Sequence, residues 1–217
     1  DTIQSRGLGD VYKRQVLNGI GVVFLFFGVL SVINSVFILQ NYGQLVWVCN
    51  ISLFILGYAL LRRNSYLLVG QLCILLIPVL YWNVDFFYVL LFKGSLWGIS
   101  NYFFEWGGLQ DFGRLVTLYH LFSLPLSLYA LYLMKRESVH EWVFSVIQIT
   151  VLFVLAKLFT NPDHNINCVY DACVPISLGL SHEATWFILY IVMIGVTYIF
   201  LHNLPFLQKR KKRGTKA

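Results

Sequence analysis

The chain has 217 residues, of which 58% are hydrophobic and only 12% are charged. With a mean hydropathy of +0.70, this composition excludes an ordinary soluble domain and is typical of a polytopic membrane protein. Much of the net charge of +6 lies in a basic tail at residues 208–217. Such a tail favours anionic headgroups at a cytoplasmic membrane face, and without a binding fold beside it we expect no nucleic-acid partner.

The first fifteen residues are set apart from the predicted fold. Residues 5–15 look like the in-frame translation of a sequencing adapter. We therefore expect the native sequence to begin near Val16 and give residues 1–15 no structural or functional role.

Apolar runs separated by short polar turns fill the chain from residue 16 onward. A helix needs about 20 apolar residues to cross the hydrocarbon core of a bilayer. The runs predict an all-α protein with six transmembrane helices in one domain, residues 16–207. The expected spans are 16–39, 44–61, 65–92, 113–134, 142–160 and 184–207. Residues 94–113 are rich in Gly and aromatic side chains, which is typical of an interfacial or re-entrant segment.

The basic residues between the spans indicate their orientation. Arg62 and Arg63, Lys135 and Arg136, and the tail at 208–217 all fall on one side of the predicted bundle. By the positive-inside rule this side is cytoplasmic, so we expect both termini in the cytoplasm.

Several polar residues share one depth in the predicted bundle. Cys49 and Asn50 on the second span, Asp85 on the third and His120 on the fourth lie about 8–10 Å below the outer ends of their helices, at 1.5 Å per residue. An unpaired Asp at the bilayer centre costs about 2.5–3.5 kcal/mol, so such residues usually have partners and mark a working site. Each residue alone also fits a plain packing role. The shared depth predicts one polar site near the outer leaflet.

A thiol beside an imidazole is the minimum for nucleophilic catalysis, because the imidazole takes the thiol proton and the thiolate attacks an acyl carbon. We expect Cys49 to be the nucleophile, His120 the base and Asp85 the acid that orients the imidazole. Ester bonds of outer-leaflet lipids lie at this depth, so membrane lipids are the expected partner. The expected substrate-binding residues are Asn50, Trp82, Asn83, Lys157, His164, Asn165 and Asn167.

The polar loop at residues 161–183 contains Cys168 and Cys173. They would form a disulfide bond in an oxidising compartment and remain a reduced structural pair elsewhere. Asp163, His164 and His182 lie nearby but match no usual metal-ligand spacing. We expect no metal and no cofactor.

Three motifs together resemble a group of uncharacterised bacterial multi-pass membrane proteins. They are Trp-Asn-Val-Asp-Phe at 82–86, His120 followed by Pro-Leu at 125–126, and Asn-Ile-Asn-x-Val at 165–169. The resemblance supports the six-span architecture, and we expect a bacterial cytoplasmic membrane.

The pair Cys49–Asn50 with His120 is more distantly similar to a six-span superfamily of transmembrane lipid acyltransferases and hydrolases. In that superfamily a Cys or Thr on an early span works with a His on a later one. The similarity implies Cys49 as nucleophile and His120 as base.

Two other functions also fit the sequence. A small transporter, or a lipid- or ion-binding membrane protein, would use Asp85 and His120 to bind or relay a solute or a proton, along a path past Cys73 and Pro78. A structural membrane subunit would instead show a closed, fully hydrogen-bonded polar cluster. An enzyme requires Cys49 and His120 to approach to roughly 3–4 Å in one cavity.

Overall fold

The computed structural model describes residues 3–105, 111–136, 139–174, 176 and 178–207. All regular elements in these ranges are helical, as predicted. The basic tail at 208–217 and Trp106 of the predicted interfacial segment lie outside the described residues. The α-helices are α1 (Ile3–Ile33), α2 (Val48–Leu61), α3 (Ser65–Phe92), α4 (Asn101–Glu105), α5 (Asp111–Thr117), α6 (Tyr119–Met134), α7 (Glu141–Phe159) and α8 (His182–His202).

Five helical segments within the described residues are long and apolar enough to cross a membrane. They are Gly9–Ile38, Ser65–Phe92, Asp111–Met134, Glu141–Phe159 and His182–His202. The predicted second span is shorter than expected, because residues 42–46 form a 3-10 turn. The remaining helix α2 has 14 residues, which is about 21 Å at 1.5 Å per residue. The structure is thus that of a membrane-embedded helical protein.

Local sequence explains where the long helices begin and end. The side chain of Asn64 accepts a hydrogen bond from the backbone N–H of Leu67 at 3.1 Å and caps the start of α3. At the other end of α3, Lys93 adopts a left-handed conformation with φ of 57°. Ser181 caps α8 by accepting from the N–H of Ala184 at 3.3 Å. Pro205 follows α8 and lacks the N–H that a continuing helix would need, so α8 ends before the predicted boundary at 207.

The central helix of the bundle is α3, which packs against α2, α6, α7 and α8. The helix α1 packs mainly along α2. The largest fully buried side chains come from all of these helices, among them Phe24, Leu53, Leu72, Ile149 and Ile194. Because α3 has neighbours on most sides, polar residues on it face protein more often than lipid.

Gly57 marks the closest approach of α1 and α2. A Cβ at this position would lie 2.6 Å from Leu25 Cγ and 2.9 Å from the carbonyl oxygen of Gly21. We expect Gly57→Ala to lower the free energy of unfolding by about 1–3 kcal/mol, the usual effect of overpacking. Denaturant unfolding in detergent micelles measures it.

Gly195→Ala on α8 is the matched control for this substitution, since a Cβ at Gly195 meets nothing within 4 Å. Alanine in a helix interior is favoured over glycine by about 1 kcal/mol, so Gly195→Ala should be neutral or stabilising. Equal losses for both variants would contradict the close α1–α2 approach.

A buried ion pair lies at the connection between α6 and α7. The Arg136 guanidinium donates to both carboxylate oxygens of Glu141, at 2.9 Å each, and the two side chains are 3% and 0% exposed. Arg136 also contacts Nδ1 of His202 at 3.0 Å and lies over the ring of Tyr198. Burial lowers the pKa of the Arg136 guanidinium, but the Glu141 carboxylate raises it by more, so the pKa lies above its ordinary value. From the sequence, Arg136 was expected only to mark the orientation of the spans, and no local pattern predicted this ion pair.

Candidate functional site

His120 lies on α6 with a fixed ring orientation. Its Nδ1 is 2.9 Å from the backbone carbonyl oxygen of Thr117. A carbonyl oxygen only accepts, so Nδ1 of the neutral ring carries the hydrogen and the lone pair lies on Nε2. The ring stacks on Tyr119 and Trp82, with centroid distances of 4.1 and 4.8 Å. His120 therefore presents Nε2 as its basic atom.

Cys49 lies in the first turn of α2 and is half-buried. The Tyr119 side chain lies near its thiol. Tyr119 is 4% exposed and its ring stacks on His120, so it lies between the two predicted catalytic groups. The enzyme hypothesis expected a direct contact between Cys49 and His120. Among the described contacts, none joins these two side chains.

The short helix α4 covers the site with aromatic side chains. The Trp82 indole Nε1 donates to the hydroxyl of Tyr102 at 3.0 Å, and this hydroxyl also lies against the side chain of Thr117. Burial raises the pKa of the Tyr102 hydroxyl above its ordinary value, so the group stays neutral. We call the aromatic cluster the set formed by Trp82, Phe86, Tyr102, Phe103, Tyr119 and His120.

Asp85 has different partners from the expected ones. Its two carboxylate oxygens accept four hydrogen bonds, from the backbone N–H groups of Trp97 (2.8 Å), Gly98 (3.3 Å) and Ser100 (2.8 Å) and from the Ser100 hydroxyl (2.7 Å). The residue is 0% exposed. The described structure gives no contact between Asp85 and His120, because the loop after α3 occupies both oxygens. Converging N–H groups of this kind form a concave anion site, here filled by the protein's own carboxylate.

The two asparagines expected to bind substrate near this layer contact backbone instead. Nδ2 of Asn83 donates to the carbonyl oxygen of Val79 at 2.8 Å and to that of His120 at 2.9 Å. Nδ2 of Asn50 donates to the carbonyl oxygen of Gln44 at 2.8 Å. Asn83 thus connects α3 to the backbone of the predicted base.

The polar loop at residues 161–183 is closed by a disulfide bond between Cys168 and Cys173, whose Cα atoms are 5.6 Å apart. Inside it, Oδ1 of Asn165 accepts from the backbone N–H groups of Tyr170 and Asp171, at 3.0 Å each. Asn165 therefore organises the loop that the disulfide closes.

The remaining candidates lie near the end of α7 and the start of α8. The Lys157 ammonium is 3.2 Å from a carboxylate oxygen of Glu183 and lies over the ring of Tyr170 at 4.6 Å, so it connects α7 to α8. His164 is exposed in the 3-10 turn Pro162–His164, and no described contact brings it to the aromatic cluster. Asn167 points to the start of α2, where its side chain contacts the backbone of Val48.

Sequence reasoning missed three residues of the site, Tyr119, Tyr102 and Thr117. Tyr119 was detectable only as the neighbour of His120, since a tyrosine near a helix end usually marks the membrane interface. No group of three or more His, Cys, Asp or Glu within the described residues could hold a metal ion.

A pocket of about 340 Å³ lies away from this site. Its lining includes Arg63 and Met134 together with Asp10, Lys13 and Arg14. The last three belong to residues 1–15, which were expected to lie outside the native sequence, so we assign this pocket no role.

The helical architecture and the five apolar segments define a class, that of membrane-embedded α-helical proteins. Comparisons of the chain with protein-family models, with curated proteins and with solved structures found no match. The resemblances described from the motifs therefore rest on those motifs alone.

Proposed function

We propose that the protein is a bacterial cytoplasmic-membrane protein that transfers or hydrolyses an acyl chain of an outer-leaflet lipid. In this proposal α2 is a sixth, short span and both termini are cytoplasmic. The observation that carries the proposal is the position of Tyr119, whose ring stacks on the His120 ring at 4.1 Å and which lies near the Cys49 thiol.

The proposed reaction runs in two balanced steps. Nε2 of His120 takes the thiol proton, the Cys49 sulfur bonds to the ester carbonyl carbon, and the C–O bond breaks as the leaving alkoxide takes the proton from His120. A water or acceptor hydroxyl then gives its proton to Nε2 of His120 and bonds to the thioester carbon, the C–S bond breaks, and the released thiolate takes that proton from His120. In this proposal the Tyr119 hydroxyl donates to the developing thiolate, which lowers the energy of that charge in a buried site.

A structural membrane subunit is the second candidate, and a specific observation favours it. The polar side chains Asp85, Asn83, Asn50 and Asn165 all bond to backbone groups, which is what fixing helices and loops requires. A transporter would need a polar path through the bundle past Cys73. The buried amides Gln71 and Gln148, between α3 and α7, bond to each other, and Cys73 is 0% exposed. Transport therefore has no comparable support.

Labelling of the protein in lipid vesicles tests the acyl-transfer proposal. We expect an acyl-phosphonate lipid and a thiol-reactive lipid to modify Cys49, and Cys49→Ala to abolish the modification. His120→Ala should slow it by about a hundredfold or more, the usual contribution of a general base. Cys73→Ala is the matched control, since Cys73 is the other free cysteine of the described chain and is buried. Peptide mass spectrometry identifies the modified residue.

The opposite result is also informative. If wild-type Cys49 stays unmodified while Cys49→Ala and His120→Ala unfold at the wild-type temperature, the acyl-transfer proposal is wrong. The structural subunit then becomes the better account of the polar layer.

A further inference from the structure

We propose that Asn167 is a positioning residue for the Cys49 thiol, which it holds in place by completing the backbone hydrogen bonds at the start of α2. The inference deepens the proposed acyl-transfer function and rests on it for its catalytic meaning. It replaces the substrate-binding role expected for Asn167 with a different one.

The start of α2 lacks a cap of its own. The first N–H groups of any helix have no partner within that helix, and the N-cap residue Trp47 makes no side-chain hydrogen bond there. The carboxamide of Asn167 supplies the missing partners from 119 residues away: its Oδ1 accepts from the N–H of Val48 at 2.8 Å. Its Nδ2 donates to the carbonyl oxygen of Val46 at 2.9 Å. Cys49 is the next residue along the helix.

Asn167 is itself held firmly. It is 2% exposed, and its backbone carbonyl accepts from the Trp186 indole at 2.8 Å, which fixes it to α8. Its φ of 56° is a left-handed conformation that asparagine tolerates better than most residues. The disulfide bond begins at the following residue, Cys168. The backbone of Asn167 is thus held by α8 and by the disulfide-closed loop, while its carboxamide contacts the start of α2.

This arrangement sets the position of the thiol relative to α6. Cys49 is on α2, whereas Tyr119 and His120 are on α6, so the distance between them depends on where α2 begins. Displacements of about 1 Å in a reacting group can lower a rate by about a hundredfold. Both polar atoms of the Asn167 side chain are already bonded to backbone, so they are not available to a lipid.

Asn167→Gly is the first test, because glycine keeps the left-handed backbone and removes the carboxamide. In a Cys73→Ala background, we expect amide hydrogen exchange in the peptide that contains Val48 to accelerate about tenfold, the loss of one hydrogen bond. Acyl-phosphonate labelling of Cys49 should fall about tenfold, whereas its reaction with a small methanethiosulfonate should become faster as the first turn of α2 opens.

Two further variants separate positioning from general loop stability. Asn161→Gly is the matched control, since Asn161 is an exposed residue of the same loop whose side-chain oxygen accepts from the backbone N–H of Asp163 at 3.0 Å. It should leave exchange at Val48 and both Cys49 reactions unchanged. Asn167→Asp keeps an acceptor for the Val48 N–H and should restore protection of that amide.

The outcomes are distinguishable. If wild-type Cys49 is labelled and Asn167→Gly changes neither its labelling nor exchange at Val48, the inference is wrong and the proposed function stands. If Asn167→Gly accelerates exchange in every helix and lowers the unfolding temperature, Asn167 is merely structural and the inference is also wrong. If wild-type Cys49 resists the acyl probe, the proposed function fails. Val48 exchange and the methanethiosulfonate rate then decide whether Asn167 positions the thiol.

Discussion

Glu141→Ala is expected to lower the free energy of unfolding by about 3–5 kcal/mol, because it leaves the charge of Arg136 buried without its carboxylate partner. The size of the effect follows from burial: the two side chains are 3% and 0% exposed and share two hydrogen bonds of 2.9 Å. Thermal unfolding of the purified protein in detergent, followed by circular dichroism, measures the loss.

Two controls accompany this variant. Replacing both partners, Arg136→Met with Glu141→Leu, should recover part of the loss, since no unpaired charge then remains buried. Glu183→Gln removes the carboxylate of a more exposed ion pair, in which the side chain of Glu183 is 50% exposed and that of Lys157 is 29% exposed. This variant should change stability little. A Glu141→Ala variant as stable as Glu183→Gln would contradict the buried ion pair.

Asp85→Ala is expected to have an effect of similar size. It leaves three backbone N–H groups and one hydroxyl of the loop at residues 97–100 without their acceptor. Each buried polar group left unpaired costs about 1–3 kcal/mol, and partial hydration of the loop recovers some of that sum, so we expect a loss of about 3–5 kcal/mol. The loop should also become sensitive to limited proteolysis, because the stack of Trp97 on Tyr81 at 4.0 Å loses its support.

Asp111→Asn is the matched control, since that carboxylate is 60% exposed and, among the described residues, pairs with Arg114. It should leave stability and proteolysis unchanged. If Asp85→Ala unfolds at the wild-type temperature but abolishes labelling of Cys49, Asp85 serves catalysis and not the loop.

The long helices could be predicted from the sequence because each is an uninterrupted apolar run. For α3 the predicted span 65–92 coincides with Ser65–Phe92. Asn64 and Lys93 bound that helix, and both residues carry visible boundary signals. The start of α2 could not be placed from hydropathy, since the apolar residues of the 3-10 turn at 42–46 differ little from those of the helix itself. Turn geometry there depends on Asn167, far away in the chain.

The contacts of the candidate site were much less predictable than the helices. Depth along a span places Cys49, Asp85 and His120 in one layer but says nothing about which way each side chain points. The expected orienter of His120 was a carboxylate on α3, whereas the structure uses the carbonyl of Thr117, one turn before His120. Charged side chains near helix ends are usually solvated. No local sequence pattern therefore distinguishes Glu141, which is buried, from the charged residues that remain exposed.

In the proposed six-span arrangement, the short helix α2 would deform the surrounding bilayer. At about 21 Å, this helix is about 9 Å shorter than the hydrocarbon core of an average membrane. Lipids beside a short hydrophobic segment compress and tilt to avoid exposing their acyl chains, and the membrane thins locally. Because Cys49 lies in the first turn of α2, such a depression would bring headgroup carbonyls down toward the thiol. The length of one helix would then deliver lipid to the site by deforming the membrane, without any moving part of the protein.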